Sequence, residues 1–210
     1  MSVKQRLRRS VVHQFHHPTG PGGHVAGLVM GRRSSNVRRN RWAVGLLDIG
    51  PTERVIELGC GPGVAIAALA ARASQGLVVG VDQSEVMIRQ ARRRNAAAIR
   101  AGRVRVIHAP VERLHLTDDS FDAALAVNTT GIWPEPATRL REIGRLLRRG
   151  GRIALVSQPR CPGATAATSA AAADELSALL AQAGFEYLRV ETLELNPPAV
   201  CVLAAHPDRD

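Results

Sequence analysis

Apolar positions in this chain come in two kinds of run: short unbroken stretches, and longer stretches in which they recur every three or four residues. RVIELG (54–59) reads as a buried strand, VAIAALAARA (64–73) as a small-residue helix and LVVGVD (77–82) as a second strand. SEVMIRQARRRNAAAIRAG (84–102) predicts a helix that opens on a Ser84 cap. RVRVIHA (103–109) and FDAALAVN (121–128) predict two more strands. Over PATRLREIGRLLRR, Leu140, Ile143, Leu146 and Leu147 share one helical face, and the Gly150-Gly151 stop releases a strand, GRIALVSQ. A last helix near DELSALLAQAG (174–184) leads into two extended runs, EYLRVETLEL and AVCVLAA, separated by Asn196-Pro197-Pro198.

Strands that alternate with helices predict a parallel sheet covered on both faces. The last two runs lie too close together for a parallel crossover and pair instead as an antiparallel hairpin. The expected fold is therefore α/β and Rossmann-like, with a mostly parallel seven-stranded sheet that ends in a C-terminal antiparallel hairpin. Residues 1–41 stand apart from this pattern. Leu7, Val11, Val12 and Phe15 fit a short amphipathic helix, HHPTGPGGH a loop, and SNVRRNRWAVGLLDIG a second helical stretch. Ligands of open α/β sheets sit beyond the C-terminal ends of the strands, so residues 1–41 are expected to form an N-terminal helical lid and residues 42–210 the sheet domain.

Composition adds limits. A chain of 210 residues, 45% of them hydrophobic, suits one domain with a real core. No run approaches the roughly 18 apolar residues of a membrane span, and no apolar stretch follows the basic N-terminus as in a signal peptide. No membrane association and a cytoplasmic location are expected. The three cysteines have neither disulfide-framework nor metal-ligand spacing, so no metal is expected. A net charge of +10 raises nucleic acid as a partner. Lysine is nearly absent and only 3% of residues are aromatic, so the charge reads as a solvated basic surface with at most weak, nonspecific affinity for nucleic acid. A homodimer is left open.

The turn Gly59-Cys60-Gly61-Pro62-Gly63 departs from the G-x-G-x-x-G of dinucleotide sites and lacks the Gly-Lys-Ser/Thr of a P-loop. Pro62 takes one N–H out of the loop, a poor choice for wrapping phosphate, while the glycines still allow close backbone approach. About twenty residues on, Asp82 ends the second strand, where a carboxylate can accept from both hydroxyls of a ribose. Glycines and a ribose-binding acid without phosphate donors suit S-adenosyl-L-methionine.

With these motifs in place the chain resembles the class I S-adenosylmethionine-dependent methyltransferases, in particular their small-molecule-type members, over roughly residues 50–205. VIELGCGPG is similar to their first motif, VGVDQSEVM to the second, FDAALAVN to the fourth strand and LRRGGRIALV to the strand after a Gly-Gly turn. The resemblance implies that Glu57, Gly59, Cys60, Gly61 and Gly63 line the methionine and ribose side of the cofactor and that Asp82 holds the ribose. Gln83 and Met87 would then flank the adenine. Similar proteins often carry an Asp shortly after the third strand; here Pro110 stands at that place, leaving Val111 and Glu112 to meet the adenine. Asn128 would face the methionine part and the substrate.

Methyl transfer needs chiefly alignment, exclusion of water and, for a protonated nucleophile, a base. Candidates for that base are His13, His16, His17, His24 and Glu135, and none is singled out as catalytic. Enzymes that methylate exocyclic base amines carry Asn or Asp followed by Pro-Pro-aromatic after the fourth strand, whereas this chain has Asn128-Thr129-Thr130-Gly131-Ile132-Trp133. The expected acceptor is a small molecule, methylated at O, N or C, whose apolar body meets Ile132, Trp133, Phe15 and Met30. The alternatives are an RNA or protein methyltransferase, or a non-catalytic nucleic-acid-binding protein of the same fold.

Overall fold

The computed structural model describes Val25, Gly27, Gly31 and residues 33–208. Apart from its stretch from residue 33 onward and those three residues, the lid expected over 1–41 lies outside the described residues, as do Phe15, Met30 and the four N-terminal histidines. The described chain opens on helix α1 (Ser34–Leu46). It continues through β1 (Arg54–Leu58), α2 (Val64–Arg72), β2 (Leu77–Asp82), α3 (Glu85–Arg94), α4 (Ala96–Arg100), β3 (Val104–His108) and β4 (Phe121–Val127). Helix α5 (Pro136–Leu146), β5 (Leu147–Ser157), α6 (Ala166–Gln182), β6 (Glu186–Leu193) and β7 (Ala199–Ala205) complete it.

The seven strands form one sheet in the order β3-β2-β1-β4-β5-β7-β6. All neighbours are parallel except β7, which runs antiparallel to both β5 and β6. The expected fold and its C-terminal hairpin are thus present, with the returning strand inserted beside β5 and β6 left at the edge.

Alternate residues of each strand feed two cores. Val55, Val78, Ala123, Leu125 and Ala154 join Ala43, Val44, Leu47, Ile66 and Leu69 from α1 and α2 on one face. Ile56, Val79, Ala124, Ala126 and Leu155 meet Leu140, Ile143, Leu146, Leu176 and Leu180 from α5 and α6 on the other. Strands buried on both faces read as unbroken apolar runs, which is the pattern they show in the sequence. No described helix is long and apolar enough to cross a membrane.

Three element boundaries differ from the sequence reading. The helix expected over 84–102 is two helices, because buried Asn95 turns its amide Nδ2 onto the carbonyls of Gly63 (3.1 Å) and Ala91 (2.9 Å). Strand β5 begins at Leu147, before the Gly150-Gly151 stop, and the pairing jumps from Phe121↔Leu147 to Ala123↔Arg152, so the glycines form an irregularity within the strand. Helix α6 begins at Ala166, well before Asp174, and Thr165 with Thr168 forms a capping box. Its first two turns are held by alanine's helix propensity, which leaves no apolar period to read.

Candidate active site

The sheet changes direction between β1 and β4, and the crevice beyond their C-terminal ends is where an open α/β sheet receives a ligand. Strand β1 ends in a hook: the N–H groups of Gly59 and Cys60 both donate to the Val81 carbonyl, at 2.8 and 2.9 Å. Gly59 has a φ of 71°, and a Cβ there would drive into the Thr129 side chain, so only glycine lets the loops after β1 and β4 touch. Gly61 has a φ of 51°, yet a Cβ on it would meet nothing within 4 Å; it would project into open cleft.

Asp82, at the end of β2, ties this loop to the next helix. Its Oδ2 accepts from the Gly61 N–H and its Oδ1 from the Ser84 N–H, both at 2.8 Å. Each oxygen keeps room for a further donor. Burial raises the Asp82 pKa, opposed by those two backbone N–H groups and by the charge of His108. Ser84 caps α3 by accepting from the Met87 N–H at 3.4 Å, as its sequence position implied.

Glu57 lies on β1 beneath the loop, 2% exposed. Burial, reinforced by the charge of Asp82, raises its pKa well above the ordinary value, while a backbone N–H from Ile66 in the first turn of α2 opposes the shift. Its Oε2 has no hydrogen-bond partner among the described residues.

Glu57, Gly59, Cys60, Gly61, Asp82 and Met87 line a cleft of about 950 Å³ that continues past the end of β4 to α1, the end of β5 and the turn between β6 and β7. A polar chain runs along that far side. Buried Arg39 of α1 donates through Nη1 to Gln158 Oε1 at 2.5 Å and through Nη2 to Asn36 Oδ1. The Gln158 backbone N–H donates to Asn128 Oδ1 (2.7 Å), and its side-chain Nε2 donates to the Pro197 carbonyl (2.9 Å). Four separate segments are thereby held in register around the cleft.

Of the residues singled out from the sequence, Glu57, Gly59, Cys60, Gly61, Asp82, Gln83, Met87, Val111, Glu112 and Asn128 all line this cleft, as do Ile132 and Trp133. Gly63 does not. It caps α2 with a φ of 75° and packs against Ala91 and Asn95 behind the loop. Cys60 is buried and its thiol pKa is pushed well up by that burial, which keeps it protonated. Glu135, weighed as a base, is not a lining residue; it starts α5 and faces Arg139 at 3.9 Å. The sequence reading missed Asn36, Arg39, Asn40, Gln158 and Arg160, all of which line the cleft. A signal existed: Asn36, Arg39 and Asn40 continue, at helical spacing, the buried stripe of Ala43 and Val44. Polar residues on the apolar stripe of a helix mark a face that packs against something other than core.

The methyltransferase-domain family model matches residues 55–151. Over 184 residues the chain is 28% identical to the uncharacterized methyltransferase YdaC of Bacillus subtilis, covering 87% of this chain and 98% of that one. It is 31% identical over 162 residues to the O-methyltransferase cnsE of Penicillium expansum, covering 72% of this chain but only 58% of that protein. Over residues 55–151 this chain is a methyltransferase domain of the S-adenosylmethionine-dependent class. A solved S-adenosylmethionine-dependent methyltransferase from Aquifex aeolicus shares the fold at a TM-score of 0.65 and 19% identity, over 81% of this chain and 97% of that chain.

The cofactor of this methyltransferase is S-adenosylmethionine, and the residues present fit it. The open space beside Gly61 admits a ligand against bare backbone. The spare acceptor sites of Asp82 suit ribose hydroxyls. The orphaned oxygen of Glu57 is a buried acceptor that calls for a donor from a ligand, and an ammonium supplies one.

Proposed function

We propose that this methyltransferase transfers the methyl group of S-adenosylmethionine to a small organic acceptor seated between the Asn128–Trp133 segment and the Asn36–Arg39–Gln158 wall. The observation that carries the reading is continuity: one cleft runs from the glycine hook to Trp133, Gln158 and α1, so cofactor and acceptor share a single chamber. Its volume of about 950 Å³ suits the cofactor with a compact partner. The relationship to an O-methyltransferase supports the same class of acceptor.

When bound, S-adenosylmethionine supplies a sulfonium-linked methyl that needs only a well-placed nucleophile. Asp82 accepts from the ribose hydroxyls, and the Glu57 Oε2 accepts from the amino-acid ammonium. Gly59 and Gly61 present backbone to the cofactor at close range, and Met87 and Val111 flank the adenine. Trp133 and α1 wall the acceptor side, excluding water and limiting the poses an acceptor can take.

Methyl-labelled S-adenosylmethionine incubated in parallel with a metabolite extract, total RNA and a protein extract tests the proposal. Label is expected in the metabolite fraction. Label carried by RNA or protein instead would overturn the small-acceptor reading.

A further inference from the structure

Charge is divided unevenly along the cleft. Its acids, Glu57, Asp82 and Glu112, lie on or next to the strand ends that receive the cofactor. Its arginines, Arg33, Arg39 and Arg160, lie on the far side, on α1 and just beyond β5. None of the three arginines takes part in an ion pair among the described residues, although Arg89, Arg139, Arg145, Arg148, Arg152 and Arg189 all do.

Arg39 is the least expected of them. It is 3% exposed, its partners Asn36 and Gln158 are neutral, and its Nε has no partner among the described residues. A buried guanidinium without a counter-charge is costly. Burial, followed by the charges of Arg160 and Arg33, lowers its pKa to about 9, and burial with Arg33 lowers that of Arg160. These guanidinium groups therefore sit close enough to repel one another. No acid precedes Asp48 in the sequence, so residues 1–32 contain no carboxylate side chain to neutralise them.

The cofactor does not remove the imbalance. S-adenosylmethionine carries one carboxylate, one ammonium and one sulfonium, a net positive charge. The acceptor is the ligand that can bring a net negative charge to this side of the cleft.

We infer that the acceptor carries an oxyanion, a carboxylate or a phosphate, seated on Arg39 with Arg33 and Arg160 at the mouth of the cleft. This rests on the proposed methyl transfer to a small acceptor and names the chemistry of that acceptor. Arg39 provides the buried contact, held in place by Asn36 and Gln158, with its Nε left to donate. Arg33 and Arg160 are exposed and can close over the anion as it enters. A planar guanidinium, still charged at neutral pH, is the side chain suited to carboxylate and phosphate.

The test is titration calorimetry at low ionic strength with the full chain saturated with S-adenosylhomocysteine, using benzoate, its neutral isostere benzamide, and inorganic phosphate. Benzoate or phosphate is expected to bind at least about tenfold more tightly than benzamide. Which of the two prevails tells a carboxylate acceptor from a phosphorylated one. Arg160→Met, at an exposed position that leaves the buried network intact, should lower that anion affinity about fivefold or more while S-adenosylhomocysteine binding stays within about twofold. Arg39→Met should lower it further. Equal, or no, binding of the three probes with S-adenosylhomocysteine bound would overturn the inference alone. So would anion affinity that survives both substitutions. A loss of S-adenosylhomocysteine affinity in both variants would assign the arginines to the cofactor's own carboxylate and also overturn it. Failure of the unaltered chain to bind S-adenosylhomocysteine would instead remove the reading on which the inference stands.

Discussion

Replacing Glu57 by glutamine separates the two jobs a buried carboxylate could have. Glutamine keeps the shape and one carbonyl oxygen, which can still accept from the Ile66 N–H, but it removes the charge. Unpartnered Oε2, on a side chain 2% exposed, is the acceptor available to the cofactor's ammonium. A hydrogen bond between charged groups contributes about 1.5–3 kcal/mol, so affinity for S-adenosylmethionine should fall about ten- to a hundredfold.

Stability should move the other way. The folded carboxyl holds its proton more tightly than the unfolded chain does, because burial raises its pKa well above 4.5. Its contribution to stability is therefore lost as pH rises from the unfolded pKa through the raised folded one, and near neutrality the residue is a burden. Glu57→Gln lacks that slope. Its melting midpoint without ligand should exceed that of the unaltered protein near neutral pH, by about 2–4 °C for each kcal/mol relieved, and the gap should close toward pH 4.5. Calorimetric titration and thermal denaturation across pH measure both effects. Unchanged cofactor affinity, or a midpoint that drops at neutral pH, would refute the assignment.

Asp82→Ala leaves the Gly61 and Ser84 N–H groups without their acceptor, at about 1–3 kcal/mol each, so the midpoint without ligand should drop and S-adenosylhomocysteine should no longer raise it. In the unaltered protein, cofactor affinity measured by titration should weaken in acid as Asp82 is protonated, beginning above the ordinary value of 3.8 because burial raises its pKa. Two glycine variants should divide fold from function. Gly59→Ala, with its positive φ and its clash with Thr129, should destabilise the domain by more than the about 1–2 kcal/mol of a left-handed alanine, whereas Gly61→Ala should cost only that strain yet block the cofactor. Fluorescence anisotropy with short RNA duplexes should show weak binding, indifferent to sequence, that disappears between about 50 and 200 mM salt. Tight, selective binding would contradict the small-acceptor proposal.

Much of this protein is local and was therefore legible in one dimension. Two-sided burial makes a strand such as Leu77–Asp82 a continuous apolar run, and Ser84 caps α3 by reaching only three residues along the chain. The hook Gly59–Gly63 and Asp82 were visible because positive φ and a strand-end carboxylate each demand a particular residue type. Other features depend on contacts between distant segments. The helix break at Asn95 exists because Gly63, 32 residues away, offers its carbonyl, and the same packing turns Gly63 away from the cleft. That Glu57 Oε2 has no partner among the described residues follows from what that face of β1 is buried against, not from its neighbours in sequence. Arg39 is the sharpest case. On a helix read alone it is one more solvated arginine in a chain with a net charge of +10, and it becomes a buried cation only because Gln158, 119 residues later, arrives beside it at the end of β5. Periodicity and turn chemistry act within a few residues of chain, so they determined the elements and the glycine loop. Desolvation of a charge is set by whatever the fold stacks against it, and only the tertiary structure decided which polar side chains line the far side of the cleft.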